Sequence, residues 1–382
     1  MQKRKLIALL LVFLCRLLPA QEMAGPPVGG NSLWSTKSGE EFLARLLEDM
    51  DAAQSTIEME YYWLSPDESG RKVRDALIGK AREGVRVKVL LDNLITPFAP
   101  ESFYDAMRKA GAEVRYVHDF DKMGPFESVG SIFGPRDHRK IVVIDGRIAY
   151  TGGINFCNHA IREWQDTQVR VEGPVAAQLQ RLFSQSWQHF GGEAGEPDSP
   201  APAGDAMAVA FGTSGRAQLD SFYVGLLQKA QSYVYLQTPY FAPPRELVDA
   251  LKDCAARGVD VRVLVPEASD WGFMNELTRE YAVELMRAGV GVYIYEGIYD
   301  HTKIFVWDNK IACCSTVNLD YRSLRTNWED GLLFYDAQSI SHFREIFLEE
   351  AGRSRLLGED AQPAKGFRKL VRSILLKMSP LF

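Results

Sequence analysis

One pattern occurs twice in this chain and limits what it can fold into. His138, Lys140 and Asp145 form an H-x-K-x4-D string, and His301, Lys303 and Asp308 form another. In both copies an Asn lies 17 residues beyond the His (Asn155, Asn318) and a carboxylate lies 28 beyond it (Asp166, Glu329). The chain has only six histidines, so two strings sharing these long offsets imply two copies of one supersecondary unit.

Strand parity sets the face each residue occupies. The apolar, largely β-branched run from His138 to Ile144 ends at Asp145-Gly146, and the run from His301 to Trp307 ends at Asp308-Asn309. Each reads as a strand entering a tight hairpin. Residues two apart on a strand share a face, so each His projects with its Lys, while the Asp sits in the turn. The return through Gly152-Gly153-Ile154-Asn155 or Ser315-Thr316-Val317-Asn318 brings an Asn back beside that face.

A doubled His, Lys and Asn set suits a phosphoryl group. Lysines and asparagines hold non-bridging oxygens and stabilise developing charge. One imidazole attacks phosphorus and the other protonates the leaving oxygen. The offsets of Asp166 and Glu329 suit carboxylates that orient the imidazoles through their far nitrogens. The scheme calls for no metal and no cofactor. His118, His159, His189 and His342 lack this context and read as structural or surface residues.

These residues resemble the phospholipase D superfamily, whose signature is a pair of HKD motifs followed by G-S/G-x-N. Further strings are similar to the bacterial cardiolipin synthase branch. They include Ile57-Glu58-Met59-Glu60-Tyr61-Tyr62, Trp164-Gln165-Asp166-Thr167, Gln237-Thr238-Pro239-Tyr240-Phe241 and Asn318-Leu319-Asp320-Tyr321-Arg322-Ser323. The resemblance covers roughly residues 31 to 382. It implies two pseudo-symmetric α/β sandwich repeats around one central active site, with His138, Lys140, Asp145, His301, Lys303 and Asp308 as catalytic residues. It also implies Asn155, Asn318 and Thr316 as phosphate-binding residues, and a phosphohistidine intermediate with His138 as nucleophile and His301 as acid, then base. The sequence alone leaves the order of the two histidines open. Asp145 and Asp308 also stand where turns favour Asp, so a structural role competes with a catalytic one. Two departures stand out: Gly153 occupies a position where the family often has a hydroxyl, and Asp300 precedes the second His. An adjacent carboxylate would raise the pKa of His301, which would suit an acid.

Several segments bear on location and organisation. Residues 1–20 join a basic Met1-Gln2-Lys3-Arg4-Lys5 start to an apolar run and Leu18-Pro19-Ala20. This is the anatomy of a signal peptide or a short N-terminal membrane anchor. Residues 21–38 and 191–206, rich in turn formers, read as linkers. They frame a first repeat at 39–190 and a second at 207–358. In each half a strand leads to a helix ending at Gly84 or Gly258, then to another strand, which predicts parallel β-α-β pairing. The first half carries an insertion near Phe120 to Arg136, an apolar lip expected at the site's mouth. Residues 359–382 form a basic amphipathic tail suited to an anionic lipid surface. The five cysteines show no metal or disulfide spacing and read as small buried residues.

The net charge of −6 weighs against nucleic acid as a partner. The expected partners are phospholipids, with phosphatidylglycerol as donor, and a membrane surface in the bacterial cell envelope. The leading reading is a phosphatidyltransferase of the cardiolipin synthase type. A hydrolytic phospholipase D, a nuclease of the same superfamily and a non-catalytic membrane-binding protein are the alternatives. Two intact sets argue against the last, because a binding module has no need of both.

Overall fold

The duplicated strings fold into duplicated sheets. The structure is a computed structural model that describes residues 23–92, 99–117, 134–193, 208–212, 219–358 and 361. The first sheet has seven strands in the order Ser32–Thr36, Gln168–Glu172, Ile148–Gly152, Lys140–Ile144, Thr56–Tyr61, Arg86–Leu91 and Glu113–Tyr116. The second has eight: Arg355–Leu356, Gly291–Tyr295, Asp260–Pro266, Tyr233–Gln237, Ile304–Trp307, Ile311–Ser315, Asp330–Phe334 and Ala208–Gly212.

The β-α-β units pair as expected. Thr56–Tyr61 lies parallel to Arg86–Leu91, and Tyr233–Gln237 lies parallel to Asp260–Pro266. The intervening helices, Glu68–Arg82 and Arg245–Ala256, are followed by Gly84 and Gly258 at φ +92° and +85°, a conformation that ends a helix at little cost only for glycine. The two motif strands run antiparallel to the first strand of each unit and turn back through hairpins. In those turns Asp145, Asp308 and Asn309 have φ of 51°, 47° and 51°, left-handed values that Asp and Asn tolerate better than most residues.

Alternation along the central strands feeds separate cores. Val142 and Ile144 face helices Gly39–Asp51, Glu68–Arg82 and Glu101–Lys109, whereas Ile141 and Val143 face a central core. Val234 and Leu236 enter the outer core of the second half, and Tyr233 and Tyr235 join the central one. The central core draws on both sheets and on helices Ala176–His189 and Ala337–Arg353, so neither half completes its buried surface alone.

The expected linker at 21–38 is corrected in its described part. Ser32–Thr36 is an edge strand antiparallel to Gln168–Glu172, matching Ala208–Gly212 against Asp330–Phe334 in the other half. The turn formers between Gly25 and Asn31 hide a short Ser-Leu-Trp-Ser-Thr strand that gains stability only by pairing with an existing sheet. Cys157, Cys254, Cys313 and Cys314 are free and buried, in line with the sequence reading. Residues 1–20, 120–133 of the apolar insertion, 194–206 of the second linker and the tail apart from Ala361 lie outside the described residues. Among the described residues no helix is long and apolar enough to cross a membrane.

Candidate active site

The two halves meet edge to edge at their motifs. His138 N–H donates to Trp328 O (2.9 Å), and His301 N–H donates to Gln165 O (2.7 Å). Each motif strand thus starts against the segment of the other half that carries its carboxylate. The result is a crossed arrangement. Glu329 Oε2 lies 2.9 Å from His138 Nδ1, and Asp166 Oδ2 lies 2.7 Å from His301 Nδ1. The equal offsets within each copy conceal a pairing made between copies.

Both imidazoles, with Asn155 and Asn318, line one open pocket, together with Tyr62, Arg136, Trp164, Tyr240, Asp270 and Arg322. Lys140 and Lys303 are buried behind the histidines: Lys140 Nζ donates to His138 O (3.0 Å), and Lys303 Nζ lies 2.8 Å from His301 Nδ1 and bonds His301 O. The Oδ1 atoms of Asn155 and Asn318 are buried without a partner among the described residues. Side chains held with an open hydrogen-bonding position in a pocket are suited to a polar ligand.

Burial and charge set the protonation of the site. Burial, followed by the positive charges of Lys140 and Lys303, holds His138 well below the ordinary imidazole range. Burial and Lys303 also lower His301. Burial and the neighbouring Lys303 push Lys140 down to about 8, and burial lowers Lys303. Burial raises Glu329 to about 7. The two lysines share this buried space with neutral imidazoles and with the carboxylates of Asp166, Glu329 and Asp330, and they can stabilise negative charge developing on a phosphate diester.

Three sequence expectations are corrected here. First, Asp145 and Asp308 do not reach the pocket. They lie at the far ends of their strands, where Asp145 accepts the backbone N–H groups of Gln54, Ser55 and Thr56 at 2.8–2.9 Å. Asp308 does the same for Gln231, Ser232 and Tyr233 at 2.7–2.9 Å. The third motif residue fastens the hairpin turn to the start of the neighbouring strand and is structural. Asp145→Ala should therefore cost about 2 kcal/mol of stability and leave kcat of the folded fraction nearly unchanged. Thermal melts and activity per folded protein check this, and a large kcat loss without a melting shift would refute it.

Second, Thr316 does not face the ligand. Its hydroxyl donates to Glu329 Oε2 (2.6 Å) and accepts Asp330 N–H (3.0 Å), so it positions the carboxylate that orients His138. Its counterpart Gly153 has no room for a side chain, because a Cβ there would lie 2.2 Å from Asp166 Oδ2. Third, Asp300 does not raise His301. Its carboxylate accepts from Gln237 Nε2 (2.7 Å) and Thr302 N (3.4 Å), and the pKa of His301 is lowered.

A sequence profile described as "Cardiolipin synthase, PLD-like domain" matches residues 46–187 and 223–350. The chain belongs to the cardiolipin synthase family of phospholipase D-like proteins. It is 33% identical over 345 residues to the major cardiolipin synthase of Bacillus subtilis (strain 168), covering 83% of this chain and 69% of the relative. It is 30% identical over 365 residues to a cardiolipin synthase of Geobacillus kaustophilus (strain HTA426), covering 90% and 71%. The fold is shared with the phosphatidylserine synthase of Haemophilus influenzae Rd KW20 (TM-score 0.67, 15% identity, 92% of this chain and 94% of that one). It is also shared with the polyphosphate kinase of Porphyromonas gingivalis (TM-score 0.57, 15% identity, 91% and 52%).

The protein is thus a phospholipase D-superfamily enzyme of the cardiolipin synthase type. Within this cardiolipin synthase fold, some residues around the histidines escaped sequence reasoning. Tyr62 packs edge-on against His138 with ring centroids 4.9 Å apart, and Trp164 lies 5.1 Å from His301. Asp330, buried, accepts the Lys140 N–H (3.0 Å) and the Thr151 hydroxyl across the interface between halves. The adjacent Glu329-Asp330 pair carried a usable signal, since two consecutive acids point to opposite faces of a strand and both would need partners.

Proposed function

We propose that this protein transfers a phosphatidyl group from phosphatidylglycerol to the hydroxyl of a second phospholipid, making cardiolipin. The crossed pairing of each histidine with the other half's carboxylate carries this reading, because it directs both imidazoles at one phosphorus. Nε2 of His138 attacks phosphorus, the bond to the headgroup oxygen breaks, and His301 gives its proton to the departing glycerol. His301 then takes the proton of the acceptor hydroxyl. That oxygen bonds phosphorus, and the phosphorus–nitrogen bond breaks. Asn155 and Asn318 hold the non-bridging oxygens through their amide N–H groups, and Lys140 and Lys303 stabilise the charge from behind the histidines. Negative charge on the bound phosphodiester supports a protonated His301 despite its low pKa in the free site.

Phospholipid access is supported by exposed apolar residues at the mouth. Trp271 lines the pocket and is 56% exposed, and Ile298, shortly before His301 in the chain, is 53% exposed. Such groups suit the headgroup region of a bilayer, which supports the reading of an enzyme working at a membrane surface of the bacterial envelope. Nucleic acid is not the expected substrate.

The test is incubation of purified protein with phosphatidylglycerol vesicles, with products resolved by lipid mass spectrometry. Cardiolipin with released glycerol is expected. Phosphatidic acid alone would make the enzyme a hydrolase, and cleavage of DNA without lipid turnover would make it a nuclease. Side chains supply every proton and charge in the scheme, so activity should persist in EDTA; a sharp loss would reject the scheme.

A further inference from the structure

The duplication makes the centre of the site symmetric, but its walls are not. Matching offsets place Arg136 opposite Tyr299 (two before each His), Asn327 opposite Trp164 (two before each carboxylate) and Arg322 opposite His159 (four after each Asn). Around His301 the wall is aromatic: Trp164 packs on His301, on His159 at 4.7 Å and on Tyr299 at 4.9 Å. Around His138 the wall is cationic. Arg136 sits 5.6 Å over the Tyr62 ring, and Arg322 donates to Gly134 O (2.7 Å), two residues before Arg136.

The two arginines differ in what balances them. Arg136 is held by Asp92 through two hydrogen bonds, at 3.0 and 2.6 Å. Arg322 forms no ion pair among the described residues, although it is half-buried and lines the pocket. The carboxylate nearest in sequence, Asp320, instead accepts the Ser323 N–H (2.8 Å), and burial raises its pKa to about 6. Burial and then the proximity of Arg136 lower Arg322 itself, against the opposing charges of Asp320 and Asp92. A guanidinium kept in a pocket beside another, with no direct ion pair of its own among the described residues, is a site for an anion.

The reacting phosphate is already served by two lysines and two asparagines. We propose that Arg322 binds the phosphodiester of the acceptor lipid. This rests on the transfer reaction proposed above. The acceptor's attacking hydroxyl must reach His301, and only its glycerol carbons separate that hydroxyl from its own phosphate. With the phosphate at Arg322, the glycerol arches across the pocket from the cationic wall to the aromatic one. Arg322 therefore selects an anionic lipid as acceptor, while a neutral alcohol gains nothing from it.

The experiment compares two acceptors in vesicles of phosphatidylglycerol in phosphatidylcholine. Labelled glycerol exchanging into phosphatidylglycerol reports a neutral acceptor, and cardiolipin reports the anionic one. Arg322→Gln should lower the ratio of cardiolipin to exchanged product at least about tenfold, and Arg322→Lys should recover most of it. An unchanged ratio, with both products falling together, overturns the proposal. A second measurement needs no variant. With the natural chain, glycerophosphoglycerol should compete with labelled glycerol at lower concentration than uncharged diglycerol, and equal competition overturns the proposal. Glycerol exchange with no cardiolipin from the natural chain would instead overturn the cardiolipin reading itself, and this inference with it.

Discussion

His138→Ala is expected to lower lipid turnover by about 10⁴-fold or more, because in the proposed scheme His301, the other imidazole at the phosphorus, is committed to proton transfer. His301→Ala is also severely impaired but leaves the nucleophile in place. Mass spectrometry of that variant after incubation with phosphatidylglycerol should find a phosphatidyl adduct on the peptide containing His138. Clear residual activity in His138→Ala, or an adduct on His301, would reverse the assignment. The pH dependence carries the same information. Burial and the two lysines hold His138 below the ordinary imidazole pKa, so the nucleophile stays neutral, and the acid limb of kcat/KM should lie below pH ~6.5.

The crossed carboxylates make the second strong expectation. An amide in place of Glu329 or Asp166 can favour the wrong imidazole tautomer, and losses of about 10² to 10⁴-fold in kcat are expected for Glu329→Gln and Asp166→Asn. The two variants should differ in which step fails. Glu329 orients His138 (2.9 Å), so Glu329→Gln should form little adduct. Asp166 orients His301 (2.7 Å), which serves both steps, so Asp166→Asn should slow both formation and release of the adduct and leave adduct that can be trapped. Pairing within each half would produce the opposite pattern, so trapping experiments on both variants decide between the two.

Arg322, the side chains of Asn155 and Asn318 and the aromatic wall complete a division of labour. The symmetric core handles a phosphate, and the unlike walls tell its two ends apart. Gene duplication alone would yield the first, and divergence at matching positions adds the second.

Much was legible in sequence because strand parity and chain offsets are local. Strand parity and the shared offsets sufficed for the duplication, the β-α-β units, the hairpins after each motif, the His, Lys and Asn set and the two carboxylates. Parity alone also placed Asp145 and Asp308 in turns, but their role depended on where three backbone N–H groups of another strand fell. The edge strand Ser32–Thr36 was missed for a related reason: five residues among turn formers carry too little signal without the sheet that receives them. Packing between the halves set which carboxylate serves which histidine, that Thr316 supports Glu329 while Gly153 makes room for Asp166, and that Arg322 forms no ion pair among the described residues. Each of these depends on contacts across the interface or on the balance of charge in a buried space. Such contacts are set by packing between distant segments, and periodicity along the chain carries no record of them.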